Sequence, residues 1–148
     1  MHRLVFILAI LLYLAALYLP VYSEKSLQGF VALILGWMVG ANDWATAISW
    51  FANVFFILGV IQFLKRKNPK PVRAMIYAVI ALLVGLAVLG AGKAFVSKDS
   101  SQAVQNFSMG TAFYAWIGSF ILLIIAAYLK SKMPVKTETS EAVADSKS

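Results

Sequence analysis

The sequence predicts an all-α membrane protein, with four transmembrane helices and a short interfacial or re-entrant helix at the outer face. Three observations carry this expectation. Apolar residues make up 61% of the 148-residue chain and charged residues only 13%, with a mean hydropathy of +0.82. A soluble domain is typically about half apolar and about a quarter charged. Apolar runs also recur at close to the ~20 residues that cross a ~30 Å hydrocarbon core at ~1.5 Å per helical residue. Finally, basic residues gather in short connections beside those runs, most densely at Lys65, Arg66, Lys67, Lys70 and Arg73. Such clusters set topology by staying on the cytoplasmic side.

The organising stretch is Trp44–Leu64, an apolar run that ends directly in that basic cluster. The net charge of +7 does not indicate a nucleic-acid binder, because the cations flank apolar runs and act there as topology signals. The chain has no cysteine, which excludes disulfides and thiolate metal sites. Its one histidine, His2, excludes a multi-histidine metal site. No cofactor is expected.

The chain divides into a helical bundle, 1–132, and a polar cytoplasmic tail, 133–148, expected to be disordered. The first span is placed at about 4–22. Arg3 precedes it and Pro20 falls at its exit. A cleaved signal peptide is the competing reading, but the run is long for one and no A-x-A box follows, so an uncleaved span is favoured.

Residues 23–28 form a polar loop, and Gly29–Gly40 is apolar but too short to span. Arg3 holds the N-terminus inside and the 65–73 cluster must also be inside. The segment between therefore crosses an odd number of times. Residues 27–40 are read as a short outer helix and 44–64 as the second span. Trp37, Trp44 and Trp50 suit an outer aromatic belt. Gly36 and Gly40 match a small-xxx-small packing motif, but at a helix end they are better read as local flexibility. Asp43 is read as an interfacial N-cap, with an ion- or substrate-binding carboxylate as the alternative.

In the second span Thr46, Ser49 and Asn53 share one helical face by their i, i+3, i+7 spacing. Asn53 falls near mid-membrane, where an unpaired amide is costly, so this face should point at another helix. The favoured reading is an interhelical hydrogen bond, and the alternative is a polar path. Asn68-Pro69 and Lys70-Pro71 break any helix in the cytoplasmic loop. The third span, about 74–92, places Ala74, Ala78, Ala81 and Gly85 on one face, which admits close helix approach. Lys93 and Lys98 then lie outside, ahead of a polar loop over 94–108. The fourth span is about 110–129, with Lys130 and Lys132 at its inner end. Ser119 lies at a depth similar to Asn53, and the two are expected to form a buried contact pair.

The sequence also carries a pattern of short motifs: Gly29-Phe30, Gly36-Trp37 and Gly40, then Trp50-Phe51-Ala52-Asn53, then Gly110 to Ser119. In this order it resembles small uncharacterised bacterial polytopic inner-membrane proteins, over most of the chain except the tail. The resemblance implies location and topology, with both termini cytoplasmic, and no activity.

Three functions compete. A non-enzymatic protein that binds a membrane or periplasmic protein partner, as an immunity-like protein or accessory subunit does, needs no charge in mid-membrane. Trp37, Asp43 and Lys93 would be its outer-face contacts. A homo-oligomeric channel or transporter component for a neutral or small solute would use Thr46, Ser49, Asn53 and Ser119 as its lining. A proton-coupled exporter is disfavoured because no carboxylate lies within Leu4–Leu19. A membrane enzyme would have to work with Asp43 and Lys93, which lack a histidine or second carboxylate. The binding-protein reading is preferred, with the lipid bilayer as solvent.

Overall fold

A computed structural model of the chain describes residues 1–22, 25–31, 33–34, 44–65, 70–87, 89 and 110–133, with the backbone alone at 22, 25–27 and 44–46. The described chain is mostly helical: α1 (His2–Tyr18), a hairpin of β1 (Pro20–Tyr22) and β2 (Lys25–Gln28), then α2 (Trp44–Leu64), α3 (Pro71–Leu86) and α4 (Thr111–Ser131). Two helices are long and apolar enough to cross a membrane, α2 over Ala47–Leu64 and α4 over Thr111–Ser131. The other two are shorter apolar helices, 17 residues in α1 and 16 in α3.

The first helix ends at Tyr18, short of the expected residue 22, and Pro20 is the reason. Proline disfavours the helical conformation in the residue before it. Leu19 is accordingly extended, with φ −81° and ψ 154°. The chain then runs into a small antiparallel sheet that pairs Pro20 with Gln28 and Tyr22 with Lys25. Leu27 and Gln28 are therefore strand rather than the start of an outer helix. Helical residues follow at 29–31 and 33–34, and the remainder of the expected 27–40 helix lies outside the described residues.

α2 has the bounds expected from the sequence. α3 starts earlier than expected, with Pro71 in its first turn. Proline suits that position because its missing N–H would have no helical partner there. Residues 90–92 of the third expected span lie outside the described residues. α4 runs two residues further than expected, to Ser131, with Lys130 in a last turn whose free carbonyls favour a cation.

The helices form a bundle in which α1 lies along α4, α4 along α3, and α3 along α2. α1 and α2 meet mainly through aromatic side chains. Tyr13 stacks on Phe56 with ring centroids 4.5 Å apart, and Phe6 stacks on Phe63 at 4.2 Å. The main core joins Ala9 and Tyr13 to Ala52, Phe56, Ala78, Ala81, Phe120 and Leu123, so every helix contributes. A second cluster of Phe63, Ala74, Ala126 and Ala127, with Phe6 against it, closes one end.

The interior is made mostly of small residues. The buried face of α3 is Ala74, Ala78, Ala81 and Gly85, as its sequence spacing implied. The outside is the reverse. Leu4, Ile7, Leu8, Leu11 and Leu14 of α1 are exposed, as are Phe51, Val54, Ile57 and Ile61 of α2. Ile76, Val79 and Leu83 of α3 and Ile121 and Ile125 of α4 are exposed too.

Among the glycines that admit close contacts, Gly85 and Gly110 position the polar centre and the hairpin. A Cβ on Gly85 would lie 3.2 Å from both the Trp116 and Phe120 rings. A Cβ on Gly110 would collide with the Pro20 carbonyl, and the Gly110 N–H donates to Val21 O at 2.8 Å. The second contact docks the hairpin on the entrance to α4.

Gly85→Val should displace the Trp116 ring and lower stability by about 1–3 kcal/mol through overpacking. Unfolding of the purified protein in mixed micelles, followed by circular dichroism, measures this.

Candidate functional site

The polar centre of the bundle is built around one amide. Asn53 sits midway along α2, on a buried face that also carries Ser49, Ala52, Phe56 and Phe63. Its Oδ1 accepts the Tyr13 hydroxyl proton at 2.9 Å and the Trp116 indole N–H at 2.9 Å. Indole nitrogen only donates, so the atom facing it must be the amide oxygen, which fixes the orientation of the amide. Two donors occupy both lone pairs of that oxygen. The Asn53 Nδ2 donates back to the Trp50 carbonyl at 3.0 Å, one turn earlier in the same helix. One side chain thus links α1, α2 and α4.

The expectation that Asn53 faces another helix is met, but the partners differ from those expected. Ser119 is fully buried, and its hydroxyl donates to the Trp116 carbonyl at 2.6 Å within its own helix. The connection from Asn53 to Ser119 runs through Trp116. Tyr13 and Trp116 do not stand out in the sequence because both lie within long apolar runs. The available signal was their polar tips: a phenol or indole inside a bundle needs a hydrogen-bond partner. Trp116 also packs edge-on to Phe120, with centroids 4.8 Å apart, which fixes its ring plane.

Trp50 has a different role. Its indole donates to the Leu33 carbonyl at 2.7 Å and ties the segment after the hairpin to α2. Thr46 lies on the α2 backbone two turns before Asn53, and its side chain is outside the described residues. Trp37, Asp43 and Lys93, the expected outer contacts, also lie outside them. So do Arg66 and Lys67, whereas Lys65, Lys70 and Arg73 are described and exposed.

Chemically, this centre is suited to holding helices together. The Asn53 oxygen is doubly occupied, and Tyr13, Trp116 and Ser119 each donate within the bundle. Among the described residues no group of three or more His, Cys, Asp or Glu side chains could hold a metal ion. Comparison with protein-family models, curated proteins and solved structures finds no match to the chain.

Replacing Asn53 by Ala should cost about 1–3 kcal/mol, since it leaves two buried donors without an acceptor. Tyr13→Phe removes only one donor and should cost less, about 0.5–1.5 kcal/mol. In the double variant the costs should fall short of additive, which a double-mutant cycle on the unfolding free energy reads directly.

Proposed function

We propose that the chain is a multi-pass protein of the bacterial inner membrane, with four spans and both termini cytoplasmic. It acts as a non-enzymatic binding protein for a membrane or periplasmic protein partner. The observation that carries the membrane part is the inverted distribution of side-chain size and polarity. Alanine, glycine, serine and an amide make up most of the inside, beside Tyr13, Phe56, Phe63, Phe120 and Leu123, while exposed leucine, isoleucine or valine side chains are found on the outside of all four helices.

Water penalises such a surface. Soluble monomers rarely expose contiguous apolar patches beyond a few hundred Å². Lipid tails do not penalise it, and helices in lipid associate through small residues and interhelical hydrogen bonds. A helix in the core of a soluble domain would be mostly buried, whereas the apolar windows of α2 and α4 are 28% and 33% buried. α1 and α3 are about 25 Å long at ~1.5 Å per residue, near the lower limit for a span. They lie in the same bundle and expose the same kind of surface, so they cross with the other two.

Charge supports the orientation. The cluster of Phe63, Ala74, Ala126 and Ala127 marks the end where α1 and α3 begin and α2 and α4 finish. Arg3, Lys65, Lys70, Arg73, Lys130 and Lys132 lie at the helix termini of that end. A basic end of this kind stays in the cytoplasm.

The binding role is favoured over the pore by the Asn53 network. Asn53 and Ser119 are buried within a single copy and hydrogen-bonded there, which leaves them unsuited to line a path between copies. The surface offered to a partner is then the outer end, where the 20–28 hairpin is docked against Gly110.

The lack of native cysteine allows single cysteines to report topology without background. A cysteine at Gln28 should react with an impermeant maleimide from outside, and one at Lys70 only after permeabilisation. The reverse pattern would overturn the orientation. A photo-crosslinker at Gln28 should yield one discrete heterologous protein adduct that is absent with the crosslinker at Ile57. Adducts with lipid or self alone would instead favour the homo-oligomeric channel.

A further inference from the structure

At the basic end of the bundle, basic side chains from two helices meet at one aromatic ring. Lys130 of α4 lies over the Phe63 ring, 4.4 Å from its centroid, and its ammonium also donates to the Phe63 carbonyl. That carbonyl is among the last four of α2, which have no partner within their own helix. His2 of α1 lies on another side of the same ring, at 6.3 Å between centroids. The charges of Arg3 and Lys130 both act on His2, and the charge of Arg3 acts on Lys130. Three basic side chains therefore share one small region at the α1–α2 seam.

One feature calls for a ligand there. The His2 Nδ1 is buried and has no hydrogen-bond partner among the described residues. Such an atom normally has a partner, because burying it without one is costly. Below the cations, the seam between α1 and α2 is apolar. Phe6 and Phe63 stack across it.

We infer that the cytoplasmic end of the α1–α2 seam binds one anionic phospholipid, with its phosphate against His2, Arg3 and Lys130 and an acyl chain along the half-buried Phe6. A phosphate oxygen accepts from imidazole N–H, guanidinium and ammonium alike, and charge-assisted bonds of this type are the strong ones. The acyl chain continues the apolar seam into the bilayer. Lys65, Lys70, Arg73 and Lys132 are exposed basic residues at the same end. They attract anionic lipid diffusely, whereas the seam is a site because it combines neighbouring basic side chains, an unpaired imidazole nitrogen and an apolar floor.

The inference rests on the membrane reading, and its test is separate from that of topology. The full chain, purified in neutral detergent, is titrated with phosphatidylglycerol or phosphatidylcholine, and bound lipid is counted by native mass spectrometry. Phosphatidylglycerol should be retained preferentially, at about one per chain. Arg3→Gln with Lys130→Gln should weaken that retention about tenfold or more. Lys70→Gln with Arg73→Gln removes the same charge from the same end and should change it less than about twofold. Because Lys130 also supports α2, Arg3→Gln alone serves as the variant that leaves the helix contact intact, and it too should weaken retention. Equal losses in the two double variants, or equal retention of the two lipids, would overturn the site while leaving the membrane placement standing. A chain recovered without membranes would instead sink the membrane reading itself.

Discussion

The bundle depends on satisfying one amide oxygen away from water. Asn53 cannot turn to solvent from the middle of α2, so its oxygen must find donors on other helices. Tyr13 and Trp116 provide them from α1 and α4, which sets where those helices stand around α2. In the proposed bilayer, apolar contact alone would leave this less defined, because leucine against leucine is scarcely better than leucine against a lipid tail. A hydrogen bond has a length and a direction, so it selects one rotation of each helix among many of similar packing energy.

Small side chains make that geometry reachable. The alanine stripe of α3 lets α2 and α4 approach, and Gly85 leaves room for the Trp116 ring that carries the indole donor. Ser119 returns its proton to the Trp116 carbonyl, so its own hydroxyl is satisfied without a second helix. The aromatic stacks of Tyr13 on Phe56 and Phe6 on Phe63 then bridge α1 to α2 where the backbones stay apart. The wider seam that results is where the proposed lipid would lie.

The two ends of the bundle are built differently. One carries basic helix termini and the Lys130 contact with the end of α2. The other carries a short hairpin, held by Gly110 on α4 and continued into a segment tied to α2 through Trp50. In the proposed bilayer the first end faces anionic headgroups and fixes orientation, while the second presents ordered backbone to the outside. The asymmetry suits a protein that is anchored at one face and makes contacts at the other.

Local physics made much of this legible from sequence. The bounds of α2, the buried face of α3, the inward turn of Asn53 and the position of the cations at helix ends follow from apolar run length, helical periodicity and the placement of Lys and Arg. Pro20 was visible as a breaker, but its consequence was not. Whether the chain after a break coils or pairs depends on a partner strand: Lys25–Gln28 pairs with Pro20–Tyr22, and that strand docks on Gly110 at the entrance to α4. The partners of Asn53 were likewise decided by tertiary structure. Tyr13, Trp116 and Ser119 all offered groups at suitable depths, and only the rotation and spacing of α1 and α4 determined which two of them reach the amide. Periodicity states which face of a helix is inward, while the choice of neighbour on that face belongs to the packing of the whole bundle.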